Sequence, residues 1–519
     1  SDYLDYWQKE SLLRETVQTM KTLKTLYEAG KYREVLNRLA QKEDQDELAS
    51  LTEDKQIERI YYKSRALGSL GQYEEALQVA TVARTNFLSP NDKSLLLALI
   101  DAQLYALSCL GRLGEGLEVS VEGDAIIKTL TVKERQTGAV WLALFSHIKG
   151  NIYFIKGDLN RALEYHQHSL TIREKINDLS AIAGSLNNIG VIYRAKGELD
   201  TALKFYQRSL TVYETIGNSE TIARSLNNIG LIYYYKGDLD TALGFYQQSL
   251  ALKETIGNPS AIALALSNIG NVYRDKGDLD TALGFYQQSL ALREEVKNDI
   301  FICVILFDLI LLVLNQQDST QALKYLTQLK NIYEFTSNKQ VYLRSRLAEA
   351  LILKQSKRMK HKIQAQMLLE QIVTEEVIDS NLSVLAMVHL CDLLLFEVKS
   401  VDDPEVWIEA KALIQQLYAQ AQDQQSFPMI VKALLLWAKF AIIEGKFQQA
   451  LKYYNQARLT AEEKSLGLLV QKVDDEQKSF EAEFEKWQVL IQQNASLQDR
   501  LAHAQLKDYL KEAQRIGLI

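Results

Sequence analysis

The phrase Ser185-Leu-Asn-Asn-Ile-Gly190 returns as Ser225-Leu-Asn-Asn-Ile-Gly230 and, altered, as Ala265-Leu-Ser-Asn-Ile-Gly270, at a spacing of 40 residues. Each copy is followed by a tyrosine (Tyr193, Tyr233, Tyr273), a Lys-Gly pair ending at Gly197, Gly237 or Gly277, the segment Leu-Asp-Thr-Ala-Leu and a Phe-Tyr-Gln triplet. Residues 236–252 and 276–292 are the same 17 residues. A fixed period of this size constrains the fold before any local feature does. Each repeat is one supersecondary unit that cannot bury its apolar face alone, so neighbours must stack into a solenoid.

The period inside a unit is helical. Around Gly190, Leu186, Ile189, Gly190 and Tyr193 share one stripe, and Leu199, Ala202, Leu203, Tyr206, Ser209 and Leu210 make a second. The small residues Gly190 and Ala202 let the two helices approach, and Tyr193 and Tyr206 fill the space beside them. Gly197 ends the first helix, where a left-handed residue is needed. The frame of a turn glycine with a small residue five later runs through Gly30/Val35, Gly71/Ala76, Gly111/Gly116, Gly157/Ala162, the three close copies, Gln317/Ala322 and Gly445/Ala450. Two lengthened, degenerate units fall near 346–373 and 382–421. Eleven helix pairs result. The chain has only four prolines, Pro90, Pro259, Pro404 and Pro428, each at or near an expected helix start.

These residues carry a family resemblance. The pattern Leu186…Ile189-Gly190…Tyr193…Gly197…Ala202…Tyr206…Ser209 resembles the tetratricopeptide repeat. Its 40-residue spacing is similar to the long-helix branch of kinesin light chains, heterotrimeric G-protein regulators and bacterial peptide-sensing regulators. The likeness is strong over 140–295, fair over 16–130 and weak over 335–425. It departs from the 34-residue form of the repeat in its longer helices and in lacking the closing proline. It implies an all-α, right-handed superhelix of antiparallel pairs whose concave face is lined by the first helix of each pair. The expected domains are 1–130 and 298–465, both of repeat-like pairs, flanking the close copies of 131–297, with a C-terminal cap over 466–519. In that cap a long charged helix over 466–493 breaks at Asn494-Ala-Ser and a last helix covers 497–515. Leu501, Leu506 and Leu510 there offer a docking face as the alternative to capping.

Little points to catalysis. His166 and His168 are two apart on a helix and face different ways, and no other histidine has metal spacing. Gly111-Arg-Leu-Gly-Glu-Gly116 sits at a helix–helix turn and has the wrong order for a dinucleotide site. No cofactor, metal or catalytic residue is expected. A net charge of −7 gives no general attraction to phosphate or anionic membranes. The longest apolar run, over 300–314, carries Asp308 and is too short for a bilayer, so it reads as a buried helix. Cys109, Cys303 and Cys391 are far apart and suit a reducing compartment, and no signal peptide is visible, so the cytosol is expected.

The informative signal is where the near-copies differ. Between residues 184–197 of the first copy and 224–237 of the second, four positions change: Gly184/Arg224, Val191/Leu231, Arg194/Tyr234 and Ala195/Tyr235. Between the second and third the same four change again, with Asn227/Ser267, Ser225/Ala265 and Ile232/Val272. Counted from the glycine, offsets −6, −3, +1, +4 and +5 form one stripe. Between the second and third copies, exposed positions of the second helix, such as Asp240, Gln247 and Gln248, do not change. In the resembled family this stripe faces the concave groove. The candidate groove residues are therefore His147, Asn151, Phe154, Asn187, Arg194, Arg224, Asn227, Tyr234, Tyr235, Asn271 and Arg274. Amides can pair with both groups of a peptide backbone, arginine grips carboxylates, and tyrosine offers area at low entropy cost. Asn188, Asn228 and Asn268, beside the stripe, suit a helix-to-helix role or a ligand role equally.

The sequence thus predicts a non-enzymatic scaffold that binds an extended or helical protein segment of acidic character. A ligand-responsive sensor is the alternative, and single-stranded RNA binding has less support because Asp275 and the overall acidity oppose it. The partner's identity and self-association stay open.

Overall fold

The computed structural model describes residues 22–27, 31–40, 52–87, 93–130, 135–336, 338–375, 380–401, 404–493 and 495. All regular structure among them is helical. The expected turn at Gly30, Pro90 and the last helix over 497–515 lie outside the described residues. The chain divides into two compact bodies, residues 1–152 with 171–176, and residues 153–170 with 177–519.

The N-terminal body contains α1 (Tyr32–Ala40), α2 (Glu53–Ser69), α3 (Tyr73–Asn86), α4 (Lys93–Leu110), α5 (Leu113–Lys128) and most of α6 (Arg135–Ile155). By length and composition α4 is apolar enough to cross a membrane, which the sequence reading did not single out. It is instead packed between α2, α3 and α5. Its buried Asp101 takes a hydrogen bond from Tyr61 (3.4 Å) and lies 3.7 Å from Arg65.

The C-terminal body continues through α7 (Leu159–Lys175), α8 (Leu179–Lys196), α9 (Leu199–Ile216), α10 (Ser219–Tyr235), α11 (Leu239–Ile256), α12 (Pro259–Asp275) and α13 (Leu279–Val296). Four of these starts are set by an Asn or Asp whose side chain accepts from the third amide of the helix: Asp178 for α8, Asn218 for α10, Asp238 for α11 and Asn258 for α12. Gly197 takes φ 83° at the turn between α8 and α9, and Gln317 adopts the same left-handed backbone at 61° where the glycine is lost. Inside a pair the fit is steric. A Cβ on Gly190 would lie 2.7 Å from the Tyr206 ring, and one on Gly270 equally close to Tyr286. The stripe tyrosine stacks on the following phenylalanine, Tyr193 on Phe205 at 5.4 Å and Tyr233 on Phe245 at 5.5 Å. Ser209, Ser249 and Ser289 donate back to the carbonyls of Ala183, Ala223 and Ala263.

The degenerate stretch keeps the plan as α14 (Asp299–Asn315), α15 (Ser319–Thr336), α16 (Lys339–Lys354), α17 (Met359–Thr374), α18 (Ser380–Val401), α19 (Pro404–Asp423), α20 (Phe427–Ile443) and α21 (Phe447–Glu463). The apolar run over 300–314 is α14, a core helix as expected. The long charged helix is α22 (Gly467–Gln492), seated on α21 and α20 through Leu469, Val473, Phe480 and Trp487. First helices also touch one another directly, α10 on α12, α14 on α16 and α16 on α18. That shorter spacing puts the first helices on the inside of the curve.

The stack then comes round on itself. The junction between α19 and α20 seats on the turns that close α6 and α8. The Leu159 amide donates to Gln424 (2.8 Å), 265 residues away, and Asn160 donates to the Asp423 carbonyl (2.9 Å). The buried ammonium of Lys196 bridges Asn160 and Gln425 at 2.8 Å each, and Ser426 donates to the Ala195 carbonyl. One pair further on, Ser465 donates to Asp200 (3.3 Å), and Leu468 enters a small core with Tyr234, Tyr246 and Ile269. We call this line of contacts the seam.

Candidate functional site

The candidate stripe can now be followed along α8, α10 and α12. At offset −3, Asn187 and Asn227 are buried, 7% and 4% exposed. Each is tied to the next first helix: Asn228 Nδ2 donates to Asn187 Oδ1 at 2.7 Å, and Asn268 Nδ2 to Asn227 Oδ1 at 2.9 Å. The asparagines form a ladder between helices, which assigns a structural role to Asn228 and Asn268 and takes the Asn187 and Asn227 oxygens away from any ligand. At the third rung Ser267 replaces asparagine and pairs with Ser289 at 2.8 Å.

Offsets +4 and +5 form a second buried network. Arg274, 5% exposed, donates from Nε to Asp275 (2.9 Å) and from its terminal nitrogens to the hydroxyls of Tyr234 (3.1 Å) and Tyr286 (3.5 Å). Tyr234 in turn donates to Asp275, and Tyr286 to Asn271 (2.5 Å). Burial raises the Tyr234 hydroxyl well above its ordinary range, so it is a neutral donor. Arg274 and Tyr234, expected in an open groove, are thus consumed within the wall, because the neighbouring first helix lies close enough to meet them. Arg194 is partly exposed and reaches the Tyr235 hydroxyl at 3.4 Å, with its guanidinium 5.5 Å from that ring. Arg224 is exposed and touches Tyr213 (3.2 Å). Val191, Leu231, Tyr235 and Asn271 are partly exposed, and Leu264 is 45% exposed.

Three further candidates behave differently. His147 and Asn151 are half-buried on α6 in the N-terminal body. Phe154, in the C-terminal body, packs with Leu159, Ala162 and Ile192.

The first helices of the later pairs carry further polar groups, of which the sequence reading singled out Asp308 alone. Asp308 on α14 faces Arg274, Arg293 and Arg344, and burial raises its carboxyl to about 6 despite them. On α16 and α18, Lys354 contacts Asp392 at 2.6 Å and His389 at 3.1 Å, all three buried. Burial alone would raise Asp392, but Lys354 and His389 hold it down at about 2. Burial and Lys354 lower His389 to about 4, so it is neutral. On α20 and α22, Lys439 meets Glu476 at 3.5 Å, and burial with the like charge of Lys472 lowers the Lys432 ammonium to about 8. The available signal was a charge inside an apolar helix, as in Ile430-Val-Lys-Ala-Leu-Leu-Leu-Trp-Ala-Lys439. Among the described residues no group of three or more His, Cys, Asp or Glu side chains is placed to hold a metal.

Forty-residue helix pairs, interlocked by a glycine against a tyrosine ring and curved with their first helices inward, define an α-solenoid repeat protein. The tetratricopeptide repeat model matches residues 142–215 and 181–255, and the MalT-like TPR region matches 232–465. The chain belongs to the tetratricopeptide repeat proteins. No curated protein matches it by sequence. Among solved structures, a Rap protein complexed with competence and sporulation factor is 15% identical, with a TM-score of 0.48 over 72% of this chain and 99% of that one. The apo quorum sensor NprR from B. thuringiensis is 14% identical, with a TM-score of 0.42 over 70% and 99%. Nearly identical TPR-like repeats of kinesin light chain type from Podosopora anserina are 17% identical, with a TM-score of 0.31 over 40% and 99%.

Proposed function

We propose that the C-terminal body is a non-enzymatic, cytosolic scaffold that holds a protein segment along its inner face. One observation carries the reading. Units whose second helices are identical over their first 14 residues differ on the inner helix at positions that remain accessible: Arg224 against Leu264, Leu231 against Asn271, and Tyr235 beside Arg194. The buried rungs beneath them hold the helices together, so the outer rungs are free to vary with the ligand. Contacts of this kind are spread out, and single substitutions should cost about 1–2 kcal/mol of binding, with one or two hot spots costing more. The seam favours a sensor as the second reading, because a ligand on the inner face would bias whether the two turns stay joined. Selection of a displayed peptide library on the intact protein tests the proposal. Enriched peptides should lose affinity in Arg224→Glu and Leu264→Asp while the helical circular dichroism is unchanged. Failure to enrich any peptide, or indifference to both substitutions, refutes it.

A further inference from the structure

We infer that the outer face of α17, widened by α19, is a self-complementary surface on which two copies of the chain pair antiparallel about a twofold axis. The register shows how this face departs from the others. In the close copies the residue two before the buried alanine of each second helix is an exposed aspartate: Asp200, Asp240 or Asp280. Before the buried Ala365 and Ala410 the same place is taken by Ile363 and Ile408. Met359 and Met367 stand one turn to either side of Ile363. The helix thus carries an apolar stripe at i, i+4 and i+8, opposite the face that buries Ala365, Leu368, Leu369 and Ile372. The four apolar side chains of the patch are 47% to 65% exposed. Scattered apolar residues on a surface are ordinary, whereas a continuous stripe marks an interaction site.

Charge says what covers it. The start of α17 is basic, and Lys357, Arg358 and Lys360 there are exposed with no ion pair among the described residues. The other end is acidic. Gln366 donates to Glu370 (3.1 Å) and to Glu397 of α18 (2.9 Å), and burial together with these two carboxylates raises that of the exposed Glu409 on α19. A second α17 laid antiparallel over the first sets its basic end against this acidic end, and the same contact recurs on the far side of the axis. A parallel partner would bring like charges together. An anionic membrane would attract the basic end and repel the acidic one. Ile363, midway between Met359 and Met367, falls at the axis and meets its own copy, while the unbranched methionines adapt to each other across it. A helix of 16 residues is about 24 Å long, a contact at the low end of specific interfaces. The dimer should therefore form in the micromolar range and weaken with salt.

Sedimentation velocity on the full chain across the micromolar range tests the pairing. The wild type should show a monomer–dimer equilibrium, weakened about tenfold or more in Ile363→Asp with helical circular dichroism unchanged. Leu459→Asp, at an exposed position of α21, should leave it in place. A charge swap tests the antiparallel arrangement. Lys357→Glu with Lys360→Glu turns the basic end acidic, and Glu370→Lys with Glu409→Lys turns the acidic end basic. Each double variant should lose self-association, and an equimolar mixture of the two should regain a dimer. Mild oxidation of Ile363→Cys should give a covalent dimer, which the native Cys109, Cys303 and Cys391 should not give in the wild type. A wild type that stays monomeric, or that dimerises equally in Ile363→Asp, overturns the inference. Swapped variants that fail to complement each other overturn the antiparallel arrangement. Flotation with phosphatidylserine vesicles that is lost in Ile363→Asp, with no dimer, reassigns the face to a lipid surface. A thiol in Ile363→Cys that resists alkylation in the monomer shows the chain covering its own face and overturns the dimer as well.

Discussion

The Cα of Gly467 is seated against the carbonyl oxygen of Lys236, and a Cβ added there would lie 1.9 Å from that oxygen. The contact joins the start of α22 to the end of α10 across the seam, so the first residue of α22 is restricted to glycine by a carbonyl far away in sequence rather than by its own backbone.

Gly467→Ala should therefore part the seam at this point. Overpacking of this kind costs roughly 1–3 kcal/mol. Small-angle scattering should show a larger radius of gyration, and the melting temperature should fall. Gly244, in α11 with nothing near its absent Cβ, is the control. Gly244→Ala should stabilise by about 0.5–1 kcal/mol through helix propensity alone and leave the scattering unchanged.

The asparagine ladder can be measured by a double-mutant cycle. Asn228→Ala removes the donor that reaches Asn187 at 2.7 Å and leaves a buried acceptor unpaired. Chemical denaturation should report a loss of about 1–3 kcal/mol. Asn187→Ala in the Asn228→Ala background should cost much less than alone, and simple additivity would contradict the ladder.

Lys354 and Asp392 are paired at 2.6 Å in a buried setting, which makes the pair costly to halve. Asp392→Ala should destabilise by about 3–5 kcal/mol, whereas Lys354→Met with Asp392→Leu should approach wild-type stability. Because Asp392 titrates at about 2 rather than 3.8, its contribution is present above about pH 4 and is lost as pH falls toward 2. The double variant should lack that acid limb in a pH series of denaturation midpoints.

Lys253 is 3% exposed, and its ammonium has no hydrogen-bond partner among the described residues. Burial lowers it from 10.5 to about 8, so at neutral pH folding carries a charged amine into an apolar place. Lys253→Met should gain roughly 2–3 kcal/mol at pH 7. Between pH 8 and 10.5 the folded protein has released this proton and the unfolded chain has not, so wild-type stability rises with pH in that window. The advantage of Lys253→Met should shrink over the same range, and a constant advantage would contradict the assignment.

The fold was legible because its cause is local and repeated. The spacing from Gly190 to Gly197 and Ala202, and the pairing of Tyr193 with the following helix, can be read from one unit and hold in the next. The site was legible only in direction. Helical geometry gives the side of α10 on which Asn227 and Tyr234 lie, but not how near α12 comes. That nearness turns offsets −3 and +4 into joints and leaves −6 and +1 open. The seam is the sum of many small rotations between pairs, and nothing in Ser465-Leu-Gly467 announces its partner.

The seam also makes the protein count. Leu159 finds Gln424 and Asp200 finds Ser465 at the same separation, 265 residues in both cases. A constant offset is met only when the number of pairs between the partners is fixed. Excising one 40-residue copy would leave every remaining pair with a suitable neighbour, as in any open array, yet would bring Ser465 round to face the wrong turn. The near-identical copies are thus interchangeable in kind but not in number, and closure acts as a ruler that holds the repeat tally constant while the residues on the inner face diverge.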